Sequence, residues 1–257
     1  MKEVFSMWKN TKMIVLTAVT AAIYAAILIP FKAIPIVPGF TEVRPGNMIP
    51  VAFGLFFGPA GAWGAAIGNT LGDILGSSFG LGSLFGFVGN FLFAYIPYKL
   101  WMNSGVLKKE EQTPDCKGTK KIVLFVVSAI ISSIACGLFI AWGVDMLGMV
   151  PFSVLGTIIP MNNAIAACIL GLILTILLFP RIKKWDIYWL DVMPEADLPK
   201  GGPLARFGAY LMVACVVICW PVALVLAYKA GGAQVPAVMI TAGIGSIGCL
   251  AGAVMMN

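Results

Sequence analysis

The chain has 257 residues, 60% of them hydrophobic and only 11% charged, with a mean hydropathy of +0.96. Soluble domains carry about a quarter charged residues and cannot hide so much apolar surface, so a water-soluble fold is excluded and lipid is the solvent. The net charge of +6 does not point to nucleic acid, because the Lys and Arg residues lie between apolar runs and form no stripe; they read as loop charge beside membrane spans.

A span needs about 20 apolar residues. The first run, 13–30, follows Lys2, Lys9 and Lys12 as a signal sequence would, but no small-residue cleavage site follows it, so it is read as a retained helix. The loop after it, 31–46, is stiffened at its edges and inside by Pro30, Pro35, Pro38 and Pro45. The stretch 47–75 as one helix would measure about 43 Å, too long for a core of about 30 Å. Gly58-Pro59 is a helix-stop and helix-start pair, so two short helices are predicted, 47–57 and 59–75. Further spans are predicted at 82–102, 121–143, 153–179, 205–229 and 236–256. The expected architecture is an all-α membrane protein: a six-helix body within 1–184, a polar cytoplasmic linker at 185–204 and a C-terminal transmembrane hairpin within 205–257.

Charge supports the split at Gly58. With eight spans, one side collects Lys2, Lys9, Lys12, Lys99, Lys108, Lys109, Lys117, Lys120, Lys121, Arg181, Lys183, Lys184, Lys200 and Arg206, and the other only Lys32, Arg44 and Lys229. Such a bias makes the first side cytoplasmic, with both termini on it, in the cell membrane. A single rod through 47–75 would put basic loops on both faces.

Polar residues inside the apolar runs are the candidates for function, because bare amides and carboxylates are costly in hydrocarbon. Glu42, Arg44 and Asn47 lie in or just after the first external loop; Asn69 and Asp73 sit one turn apart on the Gly-rich helix; Asn90, Trp142, Asp145, Asn162 and Asn163 fall at a similar depth in later helices. Singly, each has an ordinary alternative, such as a solvated helix end for Asp73 or an interhelical bond for Asn90 and Asn163. Together they describe an outward-facing pocket over an almost purely apolar inner half. Ala18, Ala22 and Ala26 form a small-residue stripe on the first helix, widened by Ala21 and Ala25; such a stripe serves either internal packing or docking of another membrane subunit.

Catalysis finds little support. The chain has no His, so Ser-His-Asp and Cys-His arrangements are ruled out. Cys215 and Cys219, one turn apart, read as small hydrophobes, and neither a metal nor a cofactor is expected. No Gly-rich Walker loop is present, and Asp73 and Asp145, the only candidates for an intramembrane proton relay, lie near the edge, so energy for transport is expected to come from elsewhere.

The run Glu42-Val43-Arg44-Pro45-Gly46-Asn47-Met48-Ile49-Pro50, followed by Gly54-Leu55-Phe56-Phe57-Gly58-Pro59-Ala60-Gly61-Ala62-Trp63-Gly64, resembles the second and third helices of the substrate-binding S components of energy-coupling factor (ECF) transporters, and the Ala stripe resembles their docking motif. The likeness covers about 12–184. It implies capture of a vitamin or similar micronutrient from outside, and association with a transmembrane coupling subunit and two cytoplasmic ATPases. It also implies ligand contacts from Asn90, Trp142, Asn162, Glu42 and Arg44, and docking through Ala18, Ala22 and Ala26. The hairpin 205–256 departs from that pattern. Two other readings stay open: a self-sufficient secondary carrier or small channel, and an intramembrane enzyme or assembly factor.

Overall fold

The computed structural model describes residues 2–256. The order of elements is α1 (Lys2–Ser6), α2 (Thr11–Phe31), β1 (Pro35–Val37), β2 (Thr41–Glu42), α3 (Met48–Phe57), α4 (Pro59–Leu75), α5 (Gly82–Asn103), α6 (Thr119–Met146), α7 (Phe152–Ala166), α8 (Leu172–Lys184), α9 (Trp189–Val192), α10 (Pro203–Ala230) and α11 (Pro236–Met255), with a π-helical turn, Ala167–Gly171, between α7 and α8. The protein is an all-α membrane protein. Among the described residues five helical stretches are long and apolar enough to cross a membrane: α2, the run of α6, the run from Phe152 to Val192, α10 and α11. The predicted count of six plus two does not follow from that measure alone, since α3 has only 10 residues and α4 only 17.

The break inside 47–75 falls at the predicted dipeptide. Gly58 closes α3 by donating its N–H to the Gly54 carbonyl at 2.8 Å, and Pro59 opens α4. Gly58 has φ +54°, and the Trp189 ring lies where a side chain would go; both facts require glycine. From Ile49 to Phe57 every residue of α3 is buried. A helix apolar on all sides belongs in the middle of a bundle, and α3 runs between α5 and the π-helical turn. It is about 15 Å long, so the chain leading into it dips into the mouth of the bundle. Irregular backbone at that depth is tolerated where it lines a cavity. The Pro-rich loop, expected to be stiff, carries a short strand pair: β1 and β2 run antiparallel, Pro35 opposite Glu42 and Val37 opposite Thr41.

Side α2 of the bundle is held by close backbone approach to α4. A Cβ added at Gly68 would lie 2.8 Å from the Ala21 carbonyl, and at Gly64 it would strike Thr20. The two alanine rows of α2 thus separate: Ala21 and Ala25 are buried in this contact, while Ala18, Ala22 and Ala26 are exposed beside Val15, Val19 and Ile23. The C-terminal hairpin packs α10 tightly on α11, with Gly208 against Gly252, and lies along α6. Its outward side chains, among them Phe207, Ile218, Val225, Ile244 and Ile247, are exposed, as are Ile173 and Leu177 on α8. So wide an apolar surface is a lipid-facing one.

The end of the bundle carrying the N-terminal tail is not almost purely apolar as expected. Glu3 of α1 and Lys99 of α5 are buried there as an ion pair at 2.6 Å, so Lys99 is a fastening inside the protein and not a loop charge.

Candidate functional site

The opposite end holds a cavity of about 90 Å³. One wall is polar, from α4 (Asn69, Asp73), α5 (Ser83, Asn90) and the loop between α2 and α3 (Thr41, Arg44). The facing wall is mostly apolar, from α6 (Ile140, Val144) and α7 (Leu155, Ile159), with Cys136 and Asn163 at its polar margin and Met149 of the 147–151 loop at its rim.

Asp73 organises the polar wall. It stands near the C-terminal end of α4, one turn after Asn69, so both side chains share a helix face. Its Oδ1 lies 2.8 Å from Lys32 Nζ; its Oδ2 accepts from Ser83 Oγ at 2.9 Å and from Asn69 Nδ2 at 3.3 Å. Lys32 also donates to Ser78 Oγ at 2.9 Å and faces Glu42 Oε1 at 3.4 Å. Arg44 completes the ring: its Nε is 3.0 Å from Glu42 Oε1 and its Nη1 donates to Asn69 Oδ1 at 3.0 Å. Burial pulls the Arg44 pKa down and the Glu42 carboxylate pushes it up, with a net upward shift that keeps it cationic. Two cations and two carboxylates therefore neutralise one another within a space that excludes most water.

A second layer consists of amides. Tyr24 shares its hydroxyl proton between Asn47 Oδ1 at 2.7 Å and Asn90 Oδ1 at 2.9 Å, Asn90 Nδ2 donates to the Gly86 carbonyl at 2.9 Å, and Asn47 Nδ2 donates to Asn163 Oδ1 at 2.5 Å. Buried amides satisfied this way hold α2, α3, α5 and α7 in fixed relation around the cavity.

Of the ten residues proposed from sequence, Arg44, Asn69, Asp73, Asn90 and Asn163 line the cavity. Glu42 and Asn47 stand behind it, as partners of Arg44 and Tyr24. Asn162 does not face it: its Nδ2 donates to the Glu42 carbonyl at 2.7 Å and fixes the loop. Trp142 and Asp145 lie away from the cavity lining. The Trp142 indole packs on Phe139 and over Gly243 of α11, and Asp145 Oδ1 accepts the backbone N–H of Gln234 at 2.8 Å, so both turn to the C-terminal hairpin. The helical phase of α6 places them on the face opposite Cys136 and Ile140. Sequence reasoning missed Lys32, Tyr24, Ser78 and Ser83. For Lys32 a signal existed: a lone Lys just past a span, in one loop with Glu42. Tyr24 carried none, being one aromatic among apolar neighbours. Among the described residues no group of three or more His, Cys, Asp or Glu is arranged to hold a metal ion.

A site of this form can bind a small solute that offers hydrogen-bonding edges to one wall and an apolar face to the other. No curated protein and no solved structure matches the chain. A family model described as QueT transporter matches residues 14–180, a stretch that contains every cavity-lining side chain. The chain belongs to the QueT transporter family, a family of substrate-binding S components of ECF transporters.

Proposed function

We propose that this protein is the membrane substrate-capture subunit of an ATP-dependent ECF-type importer and that it takes a queuosine precursor, the solute associated with its family, from outside the cell. The observation that carries the reading is the self-neutralised ring of Lys32, Glu42, Arg44 and Asp73 facing an apolar wall. Because the charges already balance, the ligand need bring none, and a compact neutral heterocycle with donor and acceptor edges fits that chemistry. The direct contacts in this reading are Arg44, Asn69, Asp73, Asn90 and Asn163, with Glu42 and Asn47 positioning them.

Orientation rests on charge. The cavity end carries three basic residues against fourteen at the other, and two of those three, Lys32 and Arg44, are held by carboxylates. The end with both termini is then cytoplasmic, residues 1–184 form the capture body with α3 as a re-entrant helix, and 185–204 is a cytoplasmic linker to the hairpin. The exposed row Ala18, Ala22 and Ala26 suits close approach of a transmembrane coupling subunit, which in turn engages two cytoplasmic ATPases.

The test is reconstitution. Purified protein binds the precursor in a calorimetric titration but does not move it into vesicles; uptake appears only when the coupling subunit and both ATPases are present with ATP. Ala22→Leu keeps the binding and loses the uptake. Rapid uptake by this chain alone would overturn the reading in favour of a self-sufficient carrier.

A further inference from the structure

The family match ends at residue 180, yet the hairpin beyond it is bonded to the segment that carries the apolar wall of the cavity. Its turn, 231–235, lies over the end of α6. There Gln234 donates its backbone N–H to Asp145 Oδ1 at 2.8 Å and its side-chain amide to the Met146 carbonyl at 3.1 Å. Gln234 holds φ +56° to do so, a conformation that a residue with a Cβ adopts at a cost. Gly148 matches it from the other side: its φ is +70°, and a Cβ there would sit 3.1 Å from Gln234 Nε2. Asp145 is 1% exposed, and among the described residues the hydrogen bond of its carboxylate is to this turn. Two more ties follow along the hairpin. Trp220 Nε1 donates to the Gly156 carbonyl at 2.7 Å, and the Tyr228 and Thr157 hydroxyls lie 2.8 Å apart.

All four ties fall on the segment 145–157. That segment supplies Met149 and Leu155 to the apolar wall, and Val144 and Ile159 flank it. The polar wall is locked by its charge ring, whereas the 147–151 loop between α6 and α7 has only short local backbone bonds of its own. The cavity of about 90 Å³ is well below the roughly 300 Å³ of the smallest ordinary ligand pockets, so a heterocycle enters only if a wall gives way. The apolar wall is the one free to do so, and the hairpin is what it must move against.

We propose that the C-terminal hairpin is a brace on the apolar wall of the substrate cavity, with Asp145 and Gln234 as positioning residues that set how readily the 147–151 loop opens and how long the ligand is retained. The proposal rests on the cavity being the substrate site, but its first test does not. Protein carrying Leu155→Cys, at a wall position that is 1% exposed, is treated with a membrane-impermeant maleimide, and labelling of the peptide containing position 155 is followed by mass spectrometry without any ligand. Asp145→Ala raises the labelling rate by about tenfold or more. Asp145→Asn keeps an acceptor oxygen for the Gln234 N–H and stays within about twofold of the parent. Gln234→Gly and Trp220→Phe each remove one tie while leaving the backbone path intact; they raise the rate by a few-fold and carry the test if Asp145→Ala does not fold. The second readout is release of bound queuosine precursor in a chase, which accelerates in the same order. Unchanged labelling in folded Asp145→Ala, or Asp145→Asn as damaging as Asp145→Ala, overturns the brace. Altered labelling in a protein that binds no precursor overturns the substrate reading instead and leaves the brace standing.

Discussion

Two clusters of buried charge sit at opposite ends of the bundle and are built on different plans. At the cavity, Asp73 has four polar neighbours, Lys32 has three and Arg44 has two, and several of these partners are shared. At the other end Glu3 and Lys99 are 1% and 0% exposed and face each other at 2.6 Å; Lys99 also donates to the Met256 carbonyl at 2.5 Å, and Tyr95 donates to the Ala253 carbonyl at 2.8 Å. The first cluster is redundant, so one partner can yield to a ligand while the others keep the charge compensated. The second joins elements of structure, and it ties α1, α5 and the end of α11 together. Position at the cavity wall separates the candidate site from a fastening here, although burial and charge are similar in both.

The comparison breaks most easily at the fastening. Lys99→Met removes the cation that pairs with buried Glu3 and destabilises the protein by about 3–5 kcal/mol; thermal unfolding in detergent measures it, and adding Glu3→Gln restores most of the loss. A single variant as stable as the parent removes the distinction. At the cavity the order of effects reverses. Asp73→Asn weakens precursor binding by roughly a hundredfold in a calorimetric titration, while the melting temperature moves by only a few degrees, because Lys32 keeps Glu42. Arg44→Lys retains the charge but cannot reach Glu42 and Asn69 at once, and costs about tenfold in affinity.

The smallest effect is expected outside both clusters. Asp115 accepts from Lys121 Nζ at 2.8 Å and from the Lys117 N–H at 3.0 Å. Partial burial pushes its pKa up and the two lysines pull it down, with a net shift below the usual carboxylate value. A depressed carboxyl stabilises the fold above its unfolded pKa of about 3.9 and loses that contribution as the pH falls through the lower folded value. Melting temperature against pH therefore declines slightly below about pH 4, and Asp115→Asn removes that part of the decline.

Much of the architecture was legible because lipid imposes strong rules. Run length and the Gly58-Pro59 dipeptide placed the short helices to within a residue or two. Spacing also gave the polar wall, since Asn69 and Asp73 share a face wherever the helix goes. What failed was phase over long range. Asn162 and Asn163 are neighbours in sequence, but a helix turns about 100° between them, and only the second reaches the cavity. Trp142 and Asp145 lie at the right depth on the wrong face, and nothing before residue 205 announces a hairpin to claim them. Glu3 was passed over because a charge in an N-terminal tail reads as solvated until Lys99 is seen beneath it.

The π-helical turn at Ala167–Gly171 gives the final body helix two directions at once. Such a turn holds one residue more than its α-helical counterpart, and therefore rotates everything after it by about 100°. Before it, Asn163 addresses the cavity; after it, Phe179 stacks near Phe56 with ring centres 6.2 Å apart and meets Tyr188 at 5.5 Å. Shortening 167–171 by one residue would merge the two phases into a single register, and the helix would have to abandon either the solute or the core beneath it.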